Sequence, residues 1–368
     1  MSENVENFFG SVNMNQPKKK VLIFLQSRVG GAERVSVTIG KNLNLRKFDV
    51  SFCSVGNCEN SIAEFIPAEY ERDQIKTDHP FRQLYEFYKK IKQNRPDIVF
   101  SSVVNINTKL LLLKPFFPDV KFVIRSDNNY DYFSKKHRLM IRLIYQIADT
   151  IVAQTQEMKD GLVCGAKITE RKIVVLQNPV DVDYIDEKVK NAISPYEENG
   201  NKKIVASGRF ADSKGFDILI ESFNILKKEN TNVELFIIGR TGGEDNPVYQ
   251  KLQHLIKMYK LENCVHCLGY QNNPYPYVKY ADCFVLSSRK EGLPNVLLES
   301  LYLHTPVAAT KCIPIINRLV DEGKNGFCAE IENPSSLALA INNCLKIKFV
   351  EKERFVTDTV KIDNIFGA

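Results

Sequence analysis

The sequence predicts an α/β protein of two doubly wound, Rossmann-like domains facing across a cleft, and three observations carry that prediction. The chain has 368 residues, which at ~100–200 residues per domain means two domains or a little more. Short apolar runs of strand length alternate with stretches of helical periodicity, the pattern of parallel sheets joined by right-handed crossovers. The alternation pauses once, from Gln177 to Asn201, where Asn178-Pro179, Ser194-Pro195 and a polar EENGNKK run break the periodicity, and then it resumes.

The opening unit is the apolar run Val21 to Leu25, a glycine pair at Gly30-Gly31, and a helix on which Ala32, Val35, Ile39 and Leu43 recur at helical spacing. Further β-branched runs predict strands at 49–55, 97–104, 120–125, 149–153 and 172–176, with helices between them such as the one carrying Phe81, Leu84, Tyr85, Tyr88 and Ile91. After the pause come a strand at 203–207, a helix with Phe216, Leu219, Ile220, Phe223 and Leu226, a strand at 233–239, a helix from Pro247, and strands at 265–269 and 282–287. The expected organisation is a flexible polar leader over 1–17, a first domain over 18–183, a second over 184–350, and a short closing segment over 351–368.

Composition excludes several classes. Hydrophobic residues make up 44% and charged residues 26%, close to globular averages, so the chain is neither disordered, collagen-like nor coiled coil as a whole. No uncharged apolar run reaches the ~18 residues needed to cross a bilayer, and the polar start lacks the apolar middle of a signal peptide, so a cytoplasmic location is expected. Nine cysteines, odd in number and scattered, argue for reduced thiols rather than a disulfide framework. Cys264-Val-His266-Cys267 has metal-like spacing but no second pair at zinc-finger distance, which favours a structural reading. The net charge of +6 lies entirely in the first half: 1–183 carries 27 Lys and Arg against 21 Asp and Glu, and 184–368 carries 23 against 23. That half is expected to face something anionic.

In such sheets ligands bind beyond the carboxyl ends of the strands, so the loops there are where chemistry is sought. Ser27-Arg-Val-Gly-Gly-Ala-Glu33 offers glycines and outward helix amides, although a tight turn without a ligand fits that pattern equally well. Ser207-Gly-Arg209-Phe-Ala-Asp-Ser-Lys214-Gly215 places two cations beside a helix N-terminus. Such a terminus ordinarily attracts negative charge, so an anion between them is one reading and a solvated loop the other. Ser287-Ser-Arg-Lys-Glu291-Gly-Leu-Pro-Asn-Val-Leu-Leu-Glu299 sets two carboxylates beside the same crevice, where they can accept hydrogen bonds from hydroxyls. Pro294 suits a first helical turn. The combination suggests a polyol carrying a phosphate.

This set resembles retaining glycosyltransferase family 4, of the GT-B fold and of the bacterial surface-polysaccharide or lipid-linked-glycan type, from Lys20 to about Leu345. GGAER at 30–34 looks like the family's acceptor-domain glycine loop, QNPVD at 177–181 its hinge, GRFADSKG at 208–215 its phosphate loop, and EGLPNVLLE at 291–299 its paired-glutamate motif. Thr305 to Thr310 looks like the strand that follows. The resemblance implies an acceptor-binding first domain and a second domain that binds a nucleotide sugar. It implies that Arg209 and Lys214 hold the diphosphate and that Glu299 takes the ribose hydroxyls. Glu291 would meet the donor sugar, the backbone of Gly292, Leu293, Pro294 and Asn295 would support sugar and phosphate beside Gly208, and Gly31 would close from the other domain. Preorganised donors of that kind stabilise charge developing on a departing nucleotide.

Where many relatives carry a histidine, this chain reads Arg125-Ser-Asp127, and Asp127 either acts on the acceptor hydroxyl or caps a turn. Asp181-Val-Asp183 is a DxD string in the hinge, where aspartates make turns, and the resemblance implies catalysis without metal or other cofactor. Leu139, Met140, Leu143, Ile144 and Ile147 share one face of a helical stretch, with Lys135, Arg138 and Arg142 opposite. This is either a core helix with a solvated face or a basic amphipathic helix on an anionic membrane. The expected reaction moves a sugar, best matched by a UDP-N-acetylhexosamine donor, to a glycan acceptor on a polyprenyl diphosphate at the inner face of the cell membrane. A nucleotide-sugar epimerase of the same fold is the alternative. No helix-turn-helix, zinc module or aromatic-interleaved basic motif speaks for a nucleic-acid partner.

Overall fold

The computed structural model describes residues 17–57, 62–229, 232–348 and 357–367. The expected leader, apart from residue 17, and the start of the expected closing segment lie outside the described residues. Seven parallel strands form the first sheet: β1 (Lys19–Gln26), β2 (Phe48–Val55), β3 (Glu71–Ile75), β4 (Ile98–Ser101), β5 (Lys121–Arg125), β6 (Thr150–Ala153) and β7 (Ile173–Val175), in the order β3-β2-β1-β4-β5-β6-β7. Six more form the second: β8 (Lys202–Ser207), β9 (Val233–Ile238), β10 (Val265–Gly269), β11 (Cys283–Leu286), β12 (Val307–Thr310) and β13 (Gly326–Ala329), in the order β10-β9-β8-β11-β12-β13. The architecture is GT-B.

Each sheet is covered on both faces, which is why its strands are apolar at consecutive positions rather than alternate ones. Leu22 and Phe24 of β1 point into a core with Phe87, Leu110, Ile141 and Leu162 from helices on one side. Val21, Ile23 and Leu25 join Val35 and Ile39 of the helix Gly31–Lys41 on the other. In the second domain Ile204 and Ala206 meet Phe223 and Leu252, while Val205 meets Leu297 and Ile316 across the sheet. The helix Thr359–Gly367 covers the first domain, burying Ile362, Ile365 and Phe366 against β1 and β4. Phe366 packs edge to face on Phe100, the ring centroids 5.4 Å apart. Lys19 and Lys121 donate from Nζ to the carbonyls of Gly367 and Ile365, satisfying the end of that helix.

In both sheets the strand order reverses beside the first strand of the domain, between β1 and β4 and between β8 and β11. Ligand crevices open at such switch points. The loops leaving β1, β8 and β11 are the glycine loop, the phosphate loop and the paired-glutamate loop, so topology alone brings the three motifs to one cleft.

Three local expectations are corrected. Glu71–Ile75 is a strand, although ERDQI carries no apolar run, because it sits at the sheet edge where only Ile75 has to be buried. Val182–Val189, inside the pause, is a helix. The helix Lys135–Ile144 does not pack as the core helix that one of its two readings offered: Ile141 alone is fully buried, while Leu139 and Leu143 are 58% and 64% exposed beside exposed Lys135 and Arg142. Arg138 is half-buried. Only one edge of this helix reaches the core, so the apolar stripe turns outward.

Truncating Phe366 to Ala removes a fully buried ring from the first domain's core and is expected to cost about 3–5 kcal/mol. Urea unfolding followed by circular dichroism checks this, and an unchanged midpoint would show that the helix contributes nothing.

Candidate active site

The phosphate loop is shaped by Gly215, which has φ +61°, and a Cβ there would lie 2.1 Å from the Ser287 carbonyl oxygen. No side chain fits, so the loop after β8 lies directly on the loop after β11. Ser287 Oγ donates to the Lys214 carbonyl (2.8 Å) and the Arg289 amide to the Ser213 carbonyl (2.8 Å), fixing the two loops to each other. Lys214 Nζ then donates to Glu291 Oε1 at 2.5 Å, and Ser288 Oγ donates to the same oxygen at 2.6 Å. Arg209 is exposed and makes no ion pair among the described residues. Asn295 opens the helix Asn295–Tyr302, with Pro294 just outside as its cap, and Glu299 lies one turn in.

The first domain supplies the other wall. Gly31, Arg125, Asp127, Asn128, Tyr132 and Asn178 meet Arg209, Lys214, Glu291, Gly292 and Asn295 around a cleft of about 430 Å³. A second chamber of about 370 Å³ shares Gly31, Arg209, Lys214, Glu291, Leu293 and Asn295, adds Gly208, Pro294 and Glu299, and extends to Arg240 and Tyr270. All the residues read from the sequence as binding the donor, and Asp127, therefore line one continuous cleft. Lys135, Arg138 and Arg142 do not line it.

Contacts between the domains run through the motifs themselves. Asn178 Nδ2 donates to Asn295 Oδ1 (2.6 Å), and Asn295 Nδ2 to the Gly31 carbonyl (3.2 Å). Within the first domain, Arg125 Nη2 donates to the same Asn178 at Oδ1. Arg34, from the helix behind the glycine loop, donates to Glu299 Oε1 at 3.0 Å and to the Tyr275 hydroxyl. Its guanidinium sits 5.6, 6.0 and 5.8 Å from the ring centroids of Phe65, Tyr184 and Tyr275. Sequence reasoning missed Arg34, Arg125 and Glu33. For Glu33 and Arg34 a signal was available, a Glu-Arg pair in the first helical turn after two glycines.

Glu33 is 5% exposed, and burial, assisted by Asp127, pushes its carboxyl up to about 7 against the effects of its own backbone amide and Arg125. Burial likewise raises Asp127, which the neighbouring Arg125 opposes, and brings the Arg125 guanidinium down to about 10.

The DxD string is structural in this fold. Asp181 caps the helix Val182–Val189 by accepting from the Tyr184 amide (3.3 Å), and it binds Lys41 Nζ at 2.7 Å, while Asp183 is exposed. Among the described residues no group of three or more His, Cys, Asp or Glu side chains is arranged to hold a metal ion. Cys264 and Cys267 are free thiols, and His266 between them stacks on Phe236.

Two domains of this topology with these motifs on facing loops define a glycosyltransferase. Sequence models for glycosyltransferase family 4 and for the glycosyl transferases group 1 match residues 29–184 and 189–358, and the chain belongs to this family. It is 32% identical over 251 residues to an uncharacterized glycosyltransferase of Methanocaldococcus jannaschii, covering 63% of this chain and 61% of that one. It is 26% identical to the N-acetylgalactosamine-N,N'-diacetylbacillosaminyl-diphospho-undecaprenol 4-alpha-N-acetylgalactosaminyltransferase of Campylobacter jejuni, over 94% of this chain and 96% of that one. Among solved structures it is similar to Anabaena HepE in complex with UDP-glucose, with a TM-score of 0.77 at 18% identity, covering 95% and 98% of the two chains.

The raised carboxyl has a consequence for stability. Unfolding returns Glu33 from about 7 to 4.5, so between those values the folded state holds a proton that the unfolded state has lost. Stability therefore falls as pH rises from 4.5 through 7, by up to roughly 3 kcal/mol. Glu33→Gln keeps the neutral form, and its melting temperature is expected to match wild type near pH 4.5 and exceed it at pH 8. Equal melting temperatures at both pH values would exclude the buried proton.

Proposed function

We propose that this glycosyltransferase moves a sugar from a UDP-sugar to a glycan hydroxyl, with retention at the anomeric carbon and without a metal, in the assembly of a surface polysaccharide or lipid-linked glycan. The observation that carries the reading is the joint placement of Arg209, Lys214 and Glu291 on two interlocked loops at the switch point of the second sheet. As the bond from the anomeric carbon to the diphosphate breaks, negative charge gathers on the nucleotide. Arg209 and Lys214 are there to receive it, doing what a divalent cation does elsewhere. Glu291, held by Lys214 and Ser288, turns its remaining carboxylate oxygen to hydroxyls of the donor sugar, and Glu299 takes the ribose. A UDP-N-acetylhexosamine donor is favoured by the EGLPNVLLESLY run and by the activity named for the Campylobacter relative. The UDP-glucose complex of HepE supports a uridine donor more broadly.

For the acceptor we infer a glycan on a polyprenyl diphosphate at the cytoplasmic leaflet, as in the substrate named for the Campylobacter enzyme. No helix among the described residues is long and apolar enough to cross a membrane, so attachment would be peripheral. The helix Lys135–Ile144 presents exposed Leu139 and Leu143 together with exposed Lys135 and Arg142. The neighbouring helix Val104–Leu113 and the turn after it leave Leu112 and Phe116 exposed at 50% and 68%. Apolar side chains among cations suit an anionic interface, where each basic residue contributes about 1 kcal/mol.

Two measurements test these roles. Arg209→Ala or Lys214→Ala is expected to lower turnover at least ~100-fold, with UDP release as the readout, and wild-type turnover is expected to survive EDTA. Loss of activity on chelation with recovery in magnesium or manganese would sink the metal-free mechanism. In liposome co-sedimentation the wild type is expected to bind vesicles containing anionic lipid, weakly and reversibly with salt, and a Leu139→Glu, Arg142→Glu double variant to stay in solution. Equal negligible binding by both would leave a soluble acceptor.

A further inference from the structure

Arg125 closes β5 and is 2% exposed, among the largest fully buried side chains of the protein. Burying a guanidinium costs several kcal/mol unless it is paired, yet none of the ion pairs among the described residues includes it. Nη2 donates to Asn178 Oδ1, and buried Nη1 has no hydrogen-bond partner among the described residues. Two residues on, buried Asp127 Oδ1 is in the same condition. Buried polar atoms are satisfied in the great majority of cases, and two orphans on residues two positions apart call for an explanation. They are of opposite kind, one a donor and one an acceptor, on groups close enough to shift each other's ionisation, and both residues line the 430 Å³ cleft.

Their position relative to the donor loop is fixed by sterics. A Cβ on Gly292 would lie 2.9 Å from the Asp127 carbonyl oxygen and 3.6 Å from Asn128 Cα. The backbone carrying Asp127 thus rests directly against the loop that carries Glu291, across the domain boundary. A group held at Asp127 faces the side of the cleft where the donor sugar is read.

An alcohol is the small group that accepts one hydrogen bond and donates another. We propose that Arg125 Nη1 and Asp127 Oδ1 form a two-point receptor for the reacting hydroxyl of the acceptor: Nη1 donates to the hydroxyl oxygen and Oδ1 accepts its hydrogen. This rests on the glycosyltransferase reading above and adds to it a residue, Arg125, whose role is to hold the acceptor oxygen in place. The arrangement explains why a fold would keep a guanidinium where an apolar side chain would pack at lower cost. Both groups are desolvated before the substrate arrives, so the hydroxyl is oriented by polar groups that do not have to reorganise.

The test follows the fate of the sugar with glycerol as the probe acceptor. Wild type, Asp127→Ala and Arg125→Lys are each supplied with UDP-N-acetylglucosamine, UDP-N-acetylgalactosamine, UDP-glucose and UDP-galactose, and UDP release and glyceryl glycoside are measured against glycerol concentration. UDP affinity is measured separately by titration calorimetry, which also reports whether each variant is folded. The expected result is a KM for glycerol at least tenfold higher in both variants, with the Kd for UDP within twofold of wild type. An unchanged glycerol KM in either variant overturns the receptor. A parallel loss of UDP affinity overturns it too, since the substitutions would then act on the cleft as a whole. A wild type that releases UDP from none of the four donors would instead overturn the donor reading on which the receptor rests.

Discussion

The two sheets share no strand, so everything this protein does depends on how the domains are held in register across the cleft. That register is carried by polar contacts that include Asn178 to Asn295, Asn295 to the Gly31 carbonyl, and Arg34 to Glu299. Polar interfaces of this kind are typical between domains that move relative to each other. Each hydrogen bond contributes about 0.5–1.5 kcal/mol net, enough together to define one arrangement and too little individually to prevent its opening. Because the bonded atoms belong to the glycine loop, the hinge and the paired-glutamate loop, the contacts that set the register also set the site. Asn295 shows this most directly: its side chain bonds both the hinge and the glycine loop while its backbone begins the helix that carries Glu299.

The proposed use of Arg209 and Lys214 in place of a metal requires that at least one of the two cations be held in position. Lys214 is aimed by a loop that cannot shift, since Gly215 has no clearance from Ser287 and its neighbours are tied to the loop after β11. Arg209 has more freedom, being exposed and unpaired among the described residues. Under the proposed mechanism, one fixed and one adaptable cation would follow a diphosphate as its charge increases, which a rigid pair would do less well.

How much of this the sequence made legible follows from burial. Strands covered on both faces, such as Val21 to Leu25, announce themselves as apolar runs, and so did most of the parallel core. The edge strand Glu71–Ile75 could not, because solvent takes one side and its ladder needs no apolar run. The helix Val182–Val189 was hidden by the same aspartates that make turns elsewhere, since capping and turning use the same side-chain acceptor. The motif loops were legible through their residue types and order. Arg125 was not, because a charged residue at the end of a strand ordinarily reads as its exposed terminus, and only packing from Asn107, Asn178 and the facing domain reveals it as interior. The stripe at Leu139 and Leu143 was left open between core and membrane for a related reason: helical periodicity gives a face but not its direction.

The helix Thr359–Gly367 carries a consequence for biosynthesis. Lys19 and Gly367 are bonded across 348 positions of sequence, and the surface that Phe366 covers is made of strands translated at the start of the chain. While the second domain is being synthesised, the face formed by Val21, Ile23 and Phe100 has no cover over the place where Ile362, Ile365 and Phe366 later sit. The second domain, whose strands and helices are consecutive in sequence, does not wait on a distant later segment in this way. The half translated first therefore cannot complete its apolar packing until the helix Thr359–Gly367 has been made, and until then its uncovered face is the natural point of engagement for a chaperone.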